Sequence, residues 1–226
     1  MTEQVPAPWT LTGNGLMLLY RFPREFVLEN GFVPSERRDS FVGGIGGVML
    51  VDYQTSNVGP YRELLFIPGQ FQIGGKRYYA ITKIYVSTMI SVENGRTNWA
   101  IPKELADFDI QNDDHTFAAT QEGKSILNLS IKSRRLSLPV NTAWSPLKLL
   151  LGQLQNGSLY ITAPAAKGKI QLANILDVRA NPALFPDIGQ FPPLAAVGVR
   201  DFTMTFPVAH VQPFAQSLGA PTHEHP

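Results

Sequence analysis

Two side chains invite a chemical reading, Lys103 and Glu63. Lys103 closes the run Gly95-Arg96-Thr97-Asn98-Trp99-Ala100-Ile101-Pro102-Lys103 and is followed by Glu104-Leu105-Ala106. Trp99, Ala100, Ile101 and Leu105 around it are apolar. A lysine stripped of water releases its proton more readily, and the neutral amine attacks carbonyl carbon. The plain alternative is a solvated lysine at the start of a short helix, since most lysines lie in water. Glu63 stands in Tyr61-Arg62-Glu63-Leu64-Leu65-Phe66-Ile67. Strand alternation places Tyr61 and Glu63 on the same face as Leu65 and Ile67. If that face is the interior, Glu63 is a carboxylate among apolar groups and a candidate acid or base. The alternative is a pairing with Arg62 or Arg96 that merely neutralises a buried charge.

Other constellations carry less. Gly43-Gly44-Ile45-Gly46-Gly47 lacks the following helix that a phosphate loop needs, and a strand pattern follows instead. His115 belongs to the polar turn Asp113-Asp114-His115, and His223 and His225 lie in a tail without the outer shell that fixes metal ligands. No metal and no cofactor is expected. Serines occur without a Gly-x-Ser-x-Gly elbow. Cysteine is absent, so thiolate catalysis, disulfides and zinc–cysteine sites are excluded.

Composition narrows the partners. The net charge of +1 leaves no electrostatic footprint for nucleic acid or an anionic membrane. Arg134-Arg135 reads as a solvated strand end. No run approaches the ~18 apolar residues of a membrane helix, and Met1 to Pro6 does not read as a signal peptide. A soluble cytoplasmic protein is the expectation. Charged residues make up 16% of the chain against a usual ~25%. That shortage predicts many inward-facing positions or contacts between subunits, hence a homo-oligomer.

The elements that must position Lys103 and Glu63 read mainly as strands. Asp107–Gln111, Leu127–Lys132 and Phe202–Phe206 alternate, and Gly15–Phe22 and Gly46–Tyr53 read as strands covered on both sides. Tyr61–Ile67, Tyr78–Val92, Thr116–Gln121, Gly157–Thr162 and Lys169–Val178 bring the total to about ten. Helix is expected at Pro23–Gly31, at Pro146–Leu154 behind Ser145, and as a single turn at Pro102–Ala106. Asn181–Pro193 reads as an extended loop over the sheet or against another subunit. The pattern predicts a mainly β fold with a few short helices, a single closed or nearly closed antiparallel β-barrel over residues 1–215. A disordered tail is expected over 216–226. A two-sheet sandwich fits the same pattern.

The Lys103 stretch resembles the signature of the acetoacetate decarboxylase family. There, a Gly-Arg pair precedes an aromatic or apolar turn, then Pro-Lys and a leucine. The likeness is firmest over residues 46–111 and extends through 15–45, where Pro23 to Pro34 resembles the family's early helix and its Val-Pro exit. The resemblance implies a cone-like β-barrel with Lys103 facing an internal cavity as the Schiff-base lysine. It implies Glu63 as the group that moves protons. Arg96, Tyr61 and Trp99 are the candidate substrate-binding residues, with Arg96 orienting the loop or a substrate carboxylate. Three positions depart from the family pattern. Its second lysine is Glu104 here, an early arginine falls on Gly13 or Asn14, and a second pocket glutamate falls on Val48. Adjacent helical side chains point apart, so Glu104 is expected to face away from the cavity, and Glu63 and Arg96 to serve as each other's partner. The expected function is a Schiff-base enzyme acting on a small oxo acid, ketone or aldehyde, a carbon–carbon lyase of decarboxylase-like or aldolase/dehydratase-like type. The alternatives are a non-catalytic barrel that binds a small apolar carbonyl compound, and a structural subunit with a relic lysine.

Overall fold

The computed structural model describes residues 3–111, 116–142 and 149–214. In chain order the elements begin with β1 (Trp9–Tyr20), α1 (Arg24–Asn30), β2 (Phe41–Gly43), β3 (Gly46–Thr55), β4 (Tyr61–Ile67), β5 (Gln70–Ile73) and β6 (Lys76–Tyr79). They continue with β7 (Lys83–Val86), α2 (Met89–Trp99), β8 (Lys103–Leu105), β9 (Asp107–Gln111), β10 (Thr116–Gln121) and β11 (Lys124–Asn141). The last are β12 (Leu151–Gln155), β13 (Ser158–Thr162), β14 (Ala165–Ala180), β15 (Ala195–Phe206) and β16 (His210–Pro213).

Ten strands form one sheet in the order β8-β7-β4-β3-β1-β15-β14-β11-β10-β9, and six form a second in the order β16-β13-β12-β6-β5-β2. The edge strands of the larger sheet, β8 and β9, are separated in the chain by Ala106 alone. The sheet therefore curls back on itself into an open, nearly closed barrel.

Strand alternation separates two cores. On β1, β3 and β4 the residues Leu18, Tyr20, Val48, Leu50, Leu64 and Phe66 face outward. They pack with α1 (Phe26, Val27) and with Phe185 and Ile188 of the segment between β14 and β15. Trp9, Leu11, Val51, Tyr53, Tyr61, Leu65 and Ile67 face the concave side. The central strands are thus covered on both faces, as their near-continuous apolar runs predict.

Several expectations change. Tyr78–Val92 is not one strand: it holds the end of β6, all of β7 and the start of α2. Ile90 and Val92 extend the β-branched pattern of β7, which hides the helix. Pro102–Ala106 is not a helical turn but contains β8, which pairs in parallel with β7 (Ile84↔Lys103, Tyr85↔Glu104, Val86↔Leu105). In the expected helix Pro146–Leu154, residues 146–148 and the capping Ser145 lie outside the described residues, while Leu151–Leu154 belong to strand β12. The polar turn with His115 and the 216–226 tail also lie outside them. Arg134 is exposed within the long strand β11 rather than at its end. Among the described residues, no helix is long and apolar enough to cross a membrane.

Candidate active site

The β7–α2–β8 crossover places the lysine. Ala100 ends α2 in a left-handed conformation (φ 55°), its N–H donating to the carbonyl of Arg96 and the next N–H, that of Ile101, to the carbonyl of Gly95. The chain then doubles back beneath the helix into β8. Lys103 passes directly under Gly95, where an added Cβ would sit 2.6 Å from its Cδ and 2.8 Å from its Cε. Real Cβ atoms do not make such contacts, so glycine in mid-helix, ordinarily unfavourable, here leaves room for the lysine stem.

The ammonium group arrives among three partner side chains. Lys103 Nζ lies 3.1 Å from Glu63 Oε2, and both side chains are almost wholly buried, 4% and 6% exposed. Nζ donates to Ser91 Oγ at 3.0 Å and to the Tyr61 hydroxyl at 3.4 Å, and lies 4.9 Å from the centre of the Tyr61 ring. The other Glu63 oxygen accepts from the Tyr53 hydroxyl at 3.2 Å. Two like-facing residues of β4, one of β3 and one of the first turn of α2 thus meet a residue of β8. Burial, reinforced by the nearby Glu63 charge, holds the phenols of Tyr53 and Tyr61 well above their ordinary range. Both therefore remain neutral hydroxyls at physiological pH.

This cluster borders a cavity of about 740 Å³ on the concave face of the large sheet. Its walls are almost entirely apolar and include Leu65, Ile67, Ile84, Trp99, Ile101 and Phe202. Trp99 packs edge-on against Trp9 at 4.9 Å, and its indole N–H donates to the Pro207 carbonyl at 2.7 Å. Helix α2 is in turn strapped by the N-terminal segment. Asn94 bonds to Val5 N and Glu3 O, and Asn98 to Val5 O.

Of the residues picked out from sequence, Lys103, Glu63, Tyr61 and Trp99 all line the cavity. Arg96 does not. It is exposed on the last turn of α2, and the ion partner of Glu63 is Lys103. Arg62, the other candidate partner, points away and bonds to Asp52 at 3.2 Å. Glu104 faces away from the cavity, through strand alternation rather than helical divergence, and pairs with Lys83 at 2.6 Å. Burial pulls the Lys83 ammonium down, but the hydrogen bonds it donates to Glu104 and Tyr85, with their charges, outweigh burial and leave that group raised. Val48 belongs to the outer core and Met49 lines the cavity, so an ungapped match at Val48 lands on the wrong face by one residue. Asn14 instead caps the Asp201 N–H at 3.0 Å. Ser91, Tyr53 and Gly95 escaped sequence reasoning as site residues. Only the glycine left a trace, as the first member of the Gly-Arg pair in the stretch that resembles the family signature. Among the described residues no cluster of three or more His, Asp or Glu side chains fit to hold a metal occurs.

Taken together, these features define a curled β-sheet protein with a buried lysine–carboxylate pair at the wall of an apolar chamber. The sequence model of the acetoacetate decarboxylase family matches residues 2–147, and the chain belongs to that family. No curated protein matches it by sequence. Solved structures share its fold at low identity. An acetoacetate decarboxylase from Legionella pneumophila superposes with a TM-score of 0.62 at 13% identity, covering 94% of this chain and 90% of that one. An acetoacetate decarboxylase-like enzyme from Sphingomonas wittichii gives 0.65 at 11%, covering 93% and 95%. The enduracididine biosynthesis enzyme MppR in complex with pyruvate gives 0.61 at 13%, covering 92% and 91%.

Proposed function

We propose that this chain is a Schiff-base-forming enzyme acting on the carbonyl group of an oxo acid, ketone or aldehyde, with Lys103 as nucleophile and Glu63 as its proton partner. One observation carries this reading: the 3.1 Å contact between two buried groups at the cavity wall. Removing two charges from water is costly unless they pair. Here the pair can also exchange its proton over that short distance, which yields a neutral amine beside a protonated carboxyl group. The amine adds to the carbonyl carbon to give a carbinolamine, and the Glu63 proton leaves with the hydroxyl as water. The resulting iminium draws electrons from the adjacent carbon and so assists loss of CO2, or aldol and dehydration steps there. Tyr53 holds the carboxylate, while Ser91 and Tyr61 hold the nitrogen. The relatives named above support carbonyl chemistry of this kind, MppR by its complex with pyruvate.

Borohydride reduction in the presence of pyruvate, acetoacetate or a simple ketone tests the reading. Irreversible labelling confined to the Lys103 peptide is expected. No label, or labels spread evenly over the surface lysines, would leave a carbonyl-binding barrel without covalent chemistry.

A further inference from the structure

We propose that the preferred substrate is an uncharged ketone or aldehyde with an extended apolar tail. Its carbonyl lies at Lys103 and its tail along the concave face of the sheet. This deepens the Schiff-base reading and rests on it.

Size is the first argument. At about 740 Å³ the cavity lies in the upper part of the ~300–1,000 Å³ range of sites that enclose drug-sized ligands. A three- or four-carbon oxo acid leaves most of it unfilled. The second argument is the wall. Three of the five methionines in the chain, Met17, Met49 and Met204, line the cavity. Met17 and Met49 sit directly opposite each other across β1 and β3. Methionine adapts its shape to apolar ligands without polar demands.

Charge is the third argument. Among the described residues, the charged side chains bordering the cavity are Lys103, Glu63 and Lys167. The first two neutralise each other, and Lys167 is an exposed rim residue of β14. From β4 to β14 the sheet order runs β4-β3-β1-β15-β14. Four steps of about 4.8 Å amount to roughly 19 Å of arc along the curled sheet between the strands of Glu63 and Lys167. A carboxylate next to the reacting carbonyl would therefore lie beside Glu63 and apolar walls, a costly place for an unpaired charge.

The fourth argument is the path outward. Ile170 and Leu172 pair with the wall residues Val199 and Val197, and Leu138 pairs with Ile170. Directly paired residues share a face. Leu138 and Leu172, each 54% exposed, thus continue the apolar surface beyond the cavity.

The test is reductive trapping with a homologous series from butanone to 2-undecanone, beside pyruvate and acetoacetate, read as the concentration that half-labels Lys103. Each added methylene is expected to lower that concentration about fourfold until the chamber is full. Met49→Trp, which adds bulk to the β3 wall of the chamber, is expected to abolish the gain for long ketones while butanone still labels. Met49→Phe serves the same purpose if the larger substitution disturbs folding. A flat dependence on chain length, or labelling by pyruvate or acetoacetate at lower concentration than by any alkanone, overturns the inference and leaves the Schiff-base reading standing. No label at Lys103 from any compound overturns the Schiff-base reading itself. Tryptophan fluorescence, to which Trp9 and Trp99 at the chamber wall contribute, then tells whether 2-undecanone still occupies the chamber, and no response overturns the apolar-ligand inference as well.

Discussion

The two faces of β4 are built from alternate residues of one seven-residue strand, yet they serve opposite ends. Leu64 and Phe66 lie in a solid outer core, where Phe66 meets Phe22 at 5.2 Å and Phe185 at 6.0 Å between ring centres. Tyr61, Glu63, Leu65 and Ile67 border a chamber. A close-packed layer resists distortion, so the outer face is the rigid support against which the inner face can hold a buried ion pair and still leave space. The hollow side is tolerable because the solid side carries the stability.

The largest effect should come from the ion pair. Lys103→Met is expected to abolish borohydride labelling and to cost about 3–5 kcal/mol in denaturant unfolding, because Glu63 is left buried without its partner. Lys103→Met combined with Glu63→Leu should recover most of that stability but none of the labelling. A single substitution without stability loss would mean that water reaches the pair.

Phe66→Ala and Leu65→Ala then compare the two faces at neighbouring positions. Phe66→Ala is expected to cost about 3–5 kcal/mol, whereas Leu65→Ala should fall near the lower end of the ~2–5 kcal/mol span for leucine, since its side chain already adjoins empty space. Equal losses in urea titration would show that the concave side is packed as tightly as the convex one.

Gly95→Ala drives a methyl group into the Lys103 stem. About 1–3 kcal/mol of destabilisation is expected, as for overpacked cores, with a slower rate of labelling. An unchanged rate would show that α2 can lift without moving Nζ.

A pH effect follows from the phenols. Tyr53 and Tyr61 ionise well above their ordinary value when folded, mainly through burial and then through the Glu63 charge. The folded state thus holds those protons more tightly than the unfolded chain. Their contribution to stability is complete below about pH 10 and is lost as pH rises through the raised values. The urea midpoint should hold up to about pH 10 and then fall progressively as pH rises further toward the raised values.

Glu104→Lys should do least. The Lys83–Glu104 pair is partly exposed and points away from the chamber, and such pairs contribute about 0–1 kcal/mol. The pH profile of imine formation should move by less than about one unit, equal to about 1.4 kcal/mol. A larger shift would place Glu104 in electrical contact with the site.

Much of this arrangement was legible in the chain. The alternation of Tyr61–Ile67 sets which residues share a face, because a strand has a period of two and its apolar face must be buried. The apolar run before Lys103 marks a lysine unlike the others, and Pro23 with Gly31 brackets α1. Helix α2 was not legible. Asn94, Gly95, Thr97 and Asn98 are weak helix formers, and the helix persists through contacts from far along the chain. These are the bonds from Asn94 and Asn98 to the N-terminal segment, and the packing of Trp99 against Trp9 and Phe206.

The sequence by itself determined the alternation of faces, the absence of thiol chemistry and the candidacy of Lys103 and Glu63, since these depend on residue type and local period. Only the tertiary structure decided that those two residues are partners. They lie forty positions apart on β4 and β8, the two strands that flank β7, and the parallel crossover through α2 brings them to 3.1 Å. It likewise decided that Arg96 stays in water, because it shares the exposed face of α2 with Glu93 and Thr97 while Val92, Gly95 and Trp99 turn inward. A local pattern can say which side of a strand a residue takes. Which other strand waits on that side is set by chain closure and packing over the whole sheet.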